Sequence, residues 1–196
     1  MKKIITIARE FGAGGNEIGR RIAGELGIEY YDKDMVMRTA LMDPKLDNRA
    51  VAYWESQMPS RLKLFQGLYD FYTKPMDDQI LRAQKDAILQ MANKESCVIV
   101  GRNSNYILKE FDHALHVFVH ADKAWRLNRL TGLMPDVPRE NIILEMKDVD
   151  KARRKSYAYV CGGDYGDARD YDLCLDTSKL GIDACVALIL QAAEHI

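Results

Sequence analysis

The 196-residue chain has no surplus of charge: 28 lysines and arginines stand against 29 aspartates and glutamates, a formal net charge of -1. That balance gives no global reason to bind nucleic acid or an anionic membrane. Long apolar runs are missing too. No segment approaches the ~20 apolar residues that a membrane span needs. The apolar residues after Lys2 and Lys3 stop at Arg9, well short of a secretory signal core. Cysteine is sparse: Cys97, Cys161, Cys174 and Cys185 form no CxxC pair, and no nearby histidines complete a metal-ligand cluster. A disulfide framework is not expected in a chain long enough to build its own core. The thiols read as buried or incidental groups of a cytoplasmic protein, and no metal ligands are assigned. His113, His116, His120 and His195 show no nucleophile or metal pattern. Repeats and low-complexity tracts are absent.

What is present is a globular composition, 47% hydrophobic and 29% charged, which excludes disorder and suits one domain. Short apolar runs predict strands at Lys3–Ala8, Glu29–Tyr31, Cys97–Val100, Ala114–Val119 and Tyr171–Asp176. Between them lie helical stripes. Ile18, Ile22 and Leu26 recur at helical spacing before Gly27, which is placed to end that helix. Asp77–Asn93 reads as a helix, and Ser178 as the cap of a last one with a stripe through Ile182, Cys185, Val186 and Ile189. Strands alternating with amphipathic helices predict an α/β fold, a three-layer sandwich around a central, mostly parallel five-stranded sheet. Two stretches fit less well. Asp43–Met76 holds Pro44, Pro59 and Pro75 and many aromatics, among them Tyr53, Trp54, Phe65, Tyr69, Phe71 and Tyr72. Leu130–Asp170 holds a long polar helix and a second glycine cluster. Both read as insertions, which in compact domains are usually functional.

Gly12-Ala13-Gly14-Gly15 follows the first strand and opens the first helix. Glycines let several backbone N–H groups converge on one point, and the helix N-terminus adds positive potential there, so strand, loop and helix form an anion site. A ligand-free tight turn is the competing reading. The standard phosphate loop is GxxxxGK(S/T). Here Arg9 holds the first glycine position and Gly15 the lysine position, and neither Asn16 nor Glu17 supplies the hydroxyl. Glu17 in the first helical turn suits the dipole but opposes a phosphate, unless it serves a metal.

Four blocks in order resemble the cytidylate kinase-like family, divergent relatives of the P-loop nucleoside monophosphate kinases. They are "ITIAREFGAGGNEIGRRIAGELGIEYYDKDMV" (Ile5–Val36), "CVIVGRNSNYIL" (Cys97–Leu108), "HVFVHADKAWRLNRL" (His116–Leu130) and "YGDARDYDLCLDTSKLGID" (Tyr165–Asp183). The resemblance implies a single kinase-like domain with a core of 1–42, 77–130 and 171–196, an acceptor-binding insertion at about 43–76 and a lid at about 131–170. It also implies ATP and Mg²⁺ as donor and cofactor, and a nucleoside monophosphate such as CMP or dCMP as acceptor. Compared with true cytidylate kinases the chain lacks the loop lysine, the hydroxyl, and an acid at Val100. A non-catalytic nucleotide-binding module, or a kinase of another small molecule, therefore stays open.

Phosphoryl transfer is mostly positioning and charge neutralisation, so cations decide. Arg9 leaves the first strand beside the loop and is the candidate to replace the lysine; a salt bridge with Glu10 or another acid is the alternative. The loop residues Gly12, Ala13, Gly14, Gly15, Asn16 and Glu17 are the phosphate-binding set. The resemblance makes Arg126, Arg129, Arg153 and Arg154 candidate lid arginines, against a solvated basic face. It makes Arg102, with Asn103 and Ser104, an acceptor-phosphate site, and Arg102's planar fork suits that. Asp32 ends the second strand, where a carboxylate would orient the acceptor, hold Mg²⁺ through water, or cap the next helix. The aromatic insertion would stack on a base, pack a small lobe, or pair two subunits as a homodimer. Charge is segregated locally. Arg126, Arg129, Arg139, Lys147, Lys151, Arg153, Arg154 and Lys155 face only five acids over Arg126–Lys155.

Overall fold

The computed structural model describes residues 2–48, 51–52 and 78–196. The aromatics Tyr53–Tyr72, and with them most of the 43–76 insertion, lie outside the described residues. The first strand, β1 (Ile4–Arg9), is buried along its whole length, which is why it opens on the β-branched run Ile4–Ile7 with no apolar-polar alternation. It lies between β3 (Cys97–Val100) and β4 (Ala114–His120). Beyond them stand β2 (Glu29–Tyr31) beside β3 and β5 (Leu173–Asp176) beside β4. Every pairing is parallel, and the order is β2-β3-β1-β4-β5.

Parallel strands need crossovers, and the helices supply them on both faces. On one face α1 (Gly15–Leu26) and α7 (Thr177–Ala192) pack against Ile5, Ile7, Val98 and Val117 through Ile18, Ile22, Cys185 and Ile189. On the other, α2 (Lys33–Leu41), α3 (Asp78–Lys94) and the single turn α4 (Ser104–Ile107) cover Ile4, Cys97 and Ile99 with Val36, Ile88, Met91 and neighbouring Leu108. The result is the three-layer sandwich that the alternating pattern predicts. Gly27 ends α1 in the left-handed conformation, as its position suggests. The cap of α7 differs from expectation: Asp176, still extended at the end of β5, accepts the N–H of Ser178 at 2.9 Å and takes the capping role from Ser178.

The strand order reverses direction about β1, so the carboxyl ends of β1, β3 and β4 open into one crevice. Two further helices border it. α5 (Lys123–Leu133) follows β4, and α6 (Arg139–Cys161) is the long polar helix. α6 lays Ile142, Met146 and Val149 against Phe11 of the glycine loop and Leu127 and Leu130 of α5. Burial pushes all four thiols upward, Cys97 and Cys161 to about 12, which favours the thiol form; Cys97 and Cys185 are buried and Cys174 is exposed. No described helix is long and apolar enough to cross a membrane.

Candidate active site

The loop after β1 curls through Gly12 at φ +84° and Gly14 at φ +92°, a left-handed backbone that a side chain resists. Among the described residues no backbone bond takes up the amides of Gly12, Gly14, Gly15, Asn16 and Glu17. They crowd the N-terminus of α1, so the loop presents donors and a helix dipole together. Its outer surface is held by side chains from distant segments. Thr177 Oγ1, fully buried, donates to Ala13 O at 2.9 Å. Asp150 of α6, 6% exposed, accepts the N–H of Phe11 on Oδ1 at 2.8 Å. Its Oδ2 accepts from Arg126 at 2.5 Å, and Arg126 also donates to Phe11 O at 3.1 Å. Glu10 completes the group, accepting from Ala121 N–H at 3.2 Å with Arg126 Nε at 3.5 Å. The N–H and the C=O of Phe11 are thus both fixed by a buried ion pair.

Arg9 is 4% exposed at the end of β1. Its stem lies over Gly15: a Cβ added at Gly15 would meet Arg9 Cβ and Cγ at 2.8 Å. Its guanidinium reaches to Gly101, whose missing Cβ and φ of +86° leave the space, and donates to Asn16 Oδ1 at 3.2 Å. Tyr165 braces its backbone, with the hydroxyl accepting from Arg9 N–H at 3.0 Å and donating to Arg9 O at 2.9 Å. Arg153, buried, donates to the same carbonyl at 2.7 Å and lies over the Phe11 ring at 5.9 Å.

Arg9 and Arg153 line two clefts at once. The loop cleft, about 530 Å³, is formed by the glycine loop with Glu17, Arg20, Asp32 and Arg129. The β3 cleft, about 640 Å³, lies between α3, the turn after β3 and the C-terminal half of α6. Its lining includes Arg82, Lys85, Arg102, Lys109, Tyr106 and Tyr159. Arg102 and Asn103 line it from a turn in which both have positive φ, 60° and 53°. That conformation costs about 1 kcal/mol per residue outside glycine, so the surrounding structure has to hold the turn in place.

The remaining candidates are placed as follows. Arg129 pairs with Glu17 across the mouth of the loop cleft, so the acid opposing a phosphate has a cation on it. Arg126 turns inward to Asp150 and lines neither cleft. Arg154, next to Arg153, points to solvent away from both. Ser104 is buried beneath the turn, with its N–H on Gly101 O. Asp32 caps α2, accepting from Asp34 and Met35 N–H groups at 3.0 and 3.1 Å, and joins the loop cleft, not the cleft of Arg102. Sequence reasoning did not single out Asp150, Thr177 or Tyr165 as loop supports, nor Arg82, Lys85 and Lys109 as cleft residues. Asp150 had a signal: it borders the stripe Ile142, Met146, Val149, Arg153, Tyr157, which is buried throughout at helical spacing.

The open amides and surrounding arginines fit the phosphate chain of a nucleotide. No group of three His, Cys, Asp or Glu gathers among the described residues. Mg²⁺ needs no such cage, because it keeps several waters and takes one or two carboxylates beside substrate phosphates. Glu17 and Asp32, both on the loop cleft, fit that role.

Known proteins share this architecture. An uncharacterised protein from Eubacterium ventriosum superposes with a TM-score of 0.76 at 25% identity, covering all of both chains. Shikimate kinase from Bacteroides thetaiotaomicron gives a TM-score of 0.54 at 11% identity over 98% of each chain, a likeness of fold alone. Cytidylate kinase of Pyrococcus horikoshii is 22% identical over 195 residues, covering all of this chain and 90% of its own. That of Thermococcus sibiricus is 24% identical over 196 residues, covering 98% and 89%. With residues 4–179 matched by its model, the chain belongs to the cytidylate kinase-like family.

Proposed function

We propose that the protein transfers the γ-phosphoryl group of ATP to a nucleoside monophosphate, with CMP or dCMP as acceptor. The observation that carries this reading is the meeting of two clefts at Arg9 and Arg153, one lined by open loop amides and the other by Arg102 and further cations. The donor's phosphates lie along Gly12–Glu17. The acceptor's phosphate lies on Arg102 and Asn103. An acceptor phosphate oxygen attacks the γ-phosphorus as the bond to the β,γ-bridging oxygen breaks, and ADP leaves with that electron pair. The attacking oxygen is already anionic at neutral pH, so the step calls for cations and not for a general base.

Arg9 and Arg153 stand where the transferring group passes, and Arg129 closes the loop cleft from α5. Arg126 acts through Phe11 as a positioning residue, and Arg154 has no part. Mg²⁺, when bound, neutralises and orients the donor phosphates, with Glu17 and Asp32 as the groups that would hold it through water. The segment 131–170 serves as lid through α6, whose Arg153 is already seated in the site.

A second reading, another small anionic acceptor, is favoured by the cationic lining of the β3 cleft by Arg82, Lys85 and Lys109. Coupled ADP release across CMP, dCMP, UMP and AMP tests the first reading, with fastest turnover expected for CMP or dCMP. No turnover with any of them by folded protein removes it. Mg²⁺-independent nucleotide binding without turnover would mark a binding module.

A further inference from the structure

Arg9, Gly15 and Asn16 are the three positions at which the loop departs from the standard phosphate loop, and the structure places all three in mutual contact. Arg9's stem occupies the space above Gly15 that any larger side chain there would need. Arg9's guanidinium donates to Asn16 Oδ1 at 3.2 Å. Gly101, in the turn after β3, leaves room for the end of the same side chain. We propose that these departures are one exchange and not three losses: Arg9 supplies to the donor phosphates, from the first position of the loop, the positive charge that a lysine ordinarily supplies from the Gly15 position. Gly15, Asn16 and Gly101 form its seat.

Three physical points support the exchange. The cation stays on the loop cleft, since Arg9 lines it together with Gly14, Gly15 and Asn16. It is more rigid than a lysine, because Tyr165 and Arg153 fix its backbone and Asn16 holds its guanidinium. A planar fork also allows two N–H groups to meet phosphate oxygens, where an ammonium acts as a point charge. The seat explains why a lysine cannot simply be restored: at Gly15 it would collide with the arginine already there.

The inference rests on the phosphotransfer reading but is tested by binding, so the two can fail separately. Calorimetry with ATP and Mg²⁺ is run on four proteins, each checked by thermal melting: wild type, Arg9→Met, Gly15→Lys, and the exchange variant Arg9→Gly/Gly15→Lys/Asn16→Ser. Arg9→Met keeps the stem and removes the charge, and should bind ATP about 10- to 100-fold more weakly, the range for losing a hydrogen bond to a charged group. Gly15→Lys should bind poorly, because two side chains claim one space. The exchange variant, with the standard GxxxxGKS arrangement, should recover affinity to within about tenfold of wild type, one step of about 1.4 kcal/mol. ATP binding by Arg9→Met equal to wild type overturns the proposal. So does an exchange variant that folds and binds no better than Gly15→Lys alone. Wild-type binding without turnover of any acceptor would sink the kinase reading and leave the exchange standing. A wild type that binds no ATP ends both.

Discussion

The two clefts that meet at Arg9 are built from different materials. The loop cleft offers backbone: five amides that no backbone bond takes up among the described residues, two left-handed glycines and a helix N-terminus, all within Gly12–Glu17. The β3 cleft offers side chains drawn from α3, the turn after β3, α4 and α6. A backbone site is cheap in side-chain entropy but must be clamped into shape. Here that clamp is the buried Asp150–Arg126 pair on Phe11. A side-chain site can lose one member and keep the rest. The clefts should therefore fail in different ways.

The largest difference is expected in stability. Asp150→Ala leaves Arg126 buried without its carboxylate and Phe11 N–H without an acceptor. Removing one partner of a buried pair costs about 3–5 kcal/mol, so urea unfolding should show a loss of that size. Arg82→Ala, on the exposed rim of the β3 cleft, should stay within about 0.5 kcal/mol of wild type. Equal losses in the two variants would erase the contrast.

Catalytic parameters should separate next. Gly14→Ala forces a side chain into φ +92° and against Ile182. The loop amides move, and misplacement by about 1 Å costs up to about 100-fold, so KM for ATP should rise steeply while KM for the acceptor holds. Arg102→Lys keeps the charge of the β3 cleft but loses its fork. It should raise acceptor KM about tenfold, an effect of about 1.4 kcal/mol, and leave KM for ATP unchanged. Steady-state kinetics with each substrate varied in turn checks both. A change in the wrong KM would mean that the clefts are assigned the wrong way round.

How much of this was legible in the sequence follows the same division. The centre of the sheet was readable because β1 and β3 are short runs buried at every position, as in CVIV at Cys97–Val100, whereas β2 is only three residues and partly exposed. The loop was readable because glycines that turn a backbone act on their own neighbours. Arg9 was readable as a candidate cation, and its seat was half visible, since Gly15 and Asn16 are close in sequence and Gly101 is not. The clamp was hidden. Asp150 and Phe11 are 139 positions apart, and α6 looked polar because charged residues fall within its buried stripe. Arg153 and Arg154 show the limit most sharply: two identical neighbours, one buried against the end of β1 and one in solvent. A helix advances about 100° per residue, so only the helix's rotation on its neighbours tells them apart.

The smallest effect tests whether the face of α6 that carries Glu145, beside the packed Ile142 and Met146, is closed to water. Glu145, one turn before the clamp, has a buried carboxyl oxygen with no hydrogen-bond partner among the described residues. Burial pushes its carboxyl up to about 7 from an ordinary 4.5, with Lys33 acting in the opposite direction. Between those values the folded chain holds a proton that the unfolded chain has released. Stability therefore falls as pH rises through that window and levels off above it. Glu145→Gln has nothing to ionise. It should match wild type near pH 5 and exceed it at pH 8, by less than about 1 kcal/mol because the group is only half-buried and solvent screens it. Urea unfolding of both proteins at the two pH values reads the difference. If wild type and variant share the same pH slope, the Glu145 carboxyl is solvated in the folded chain, and this turn of α6 is held by Ile142 and Met146 without it.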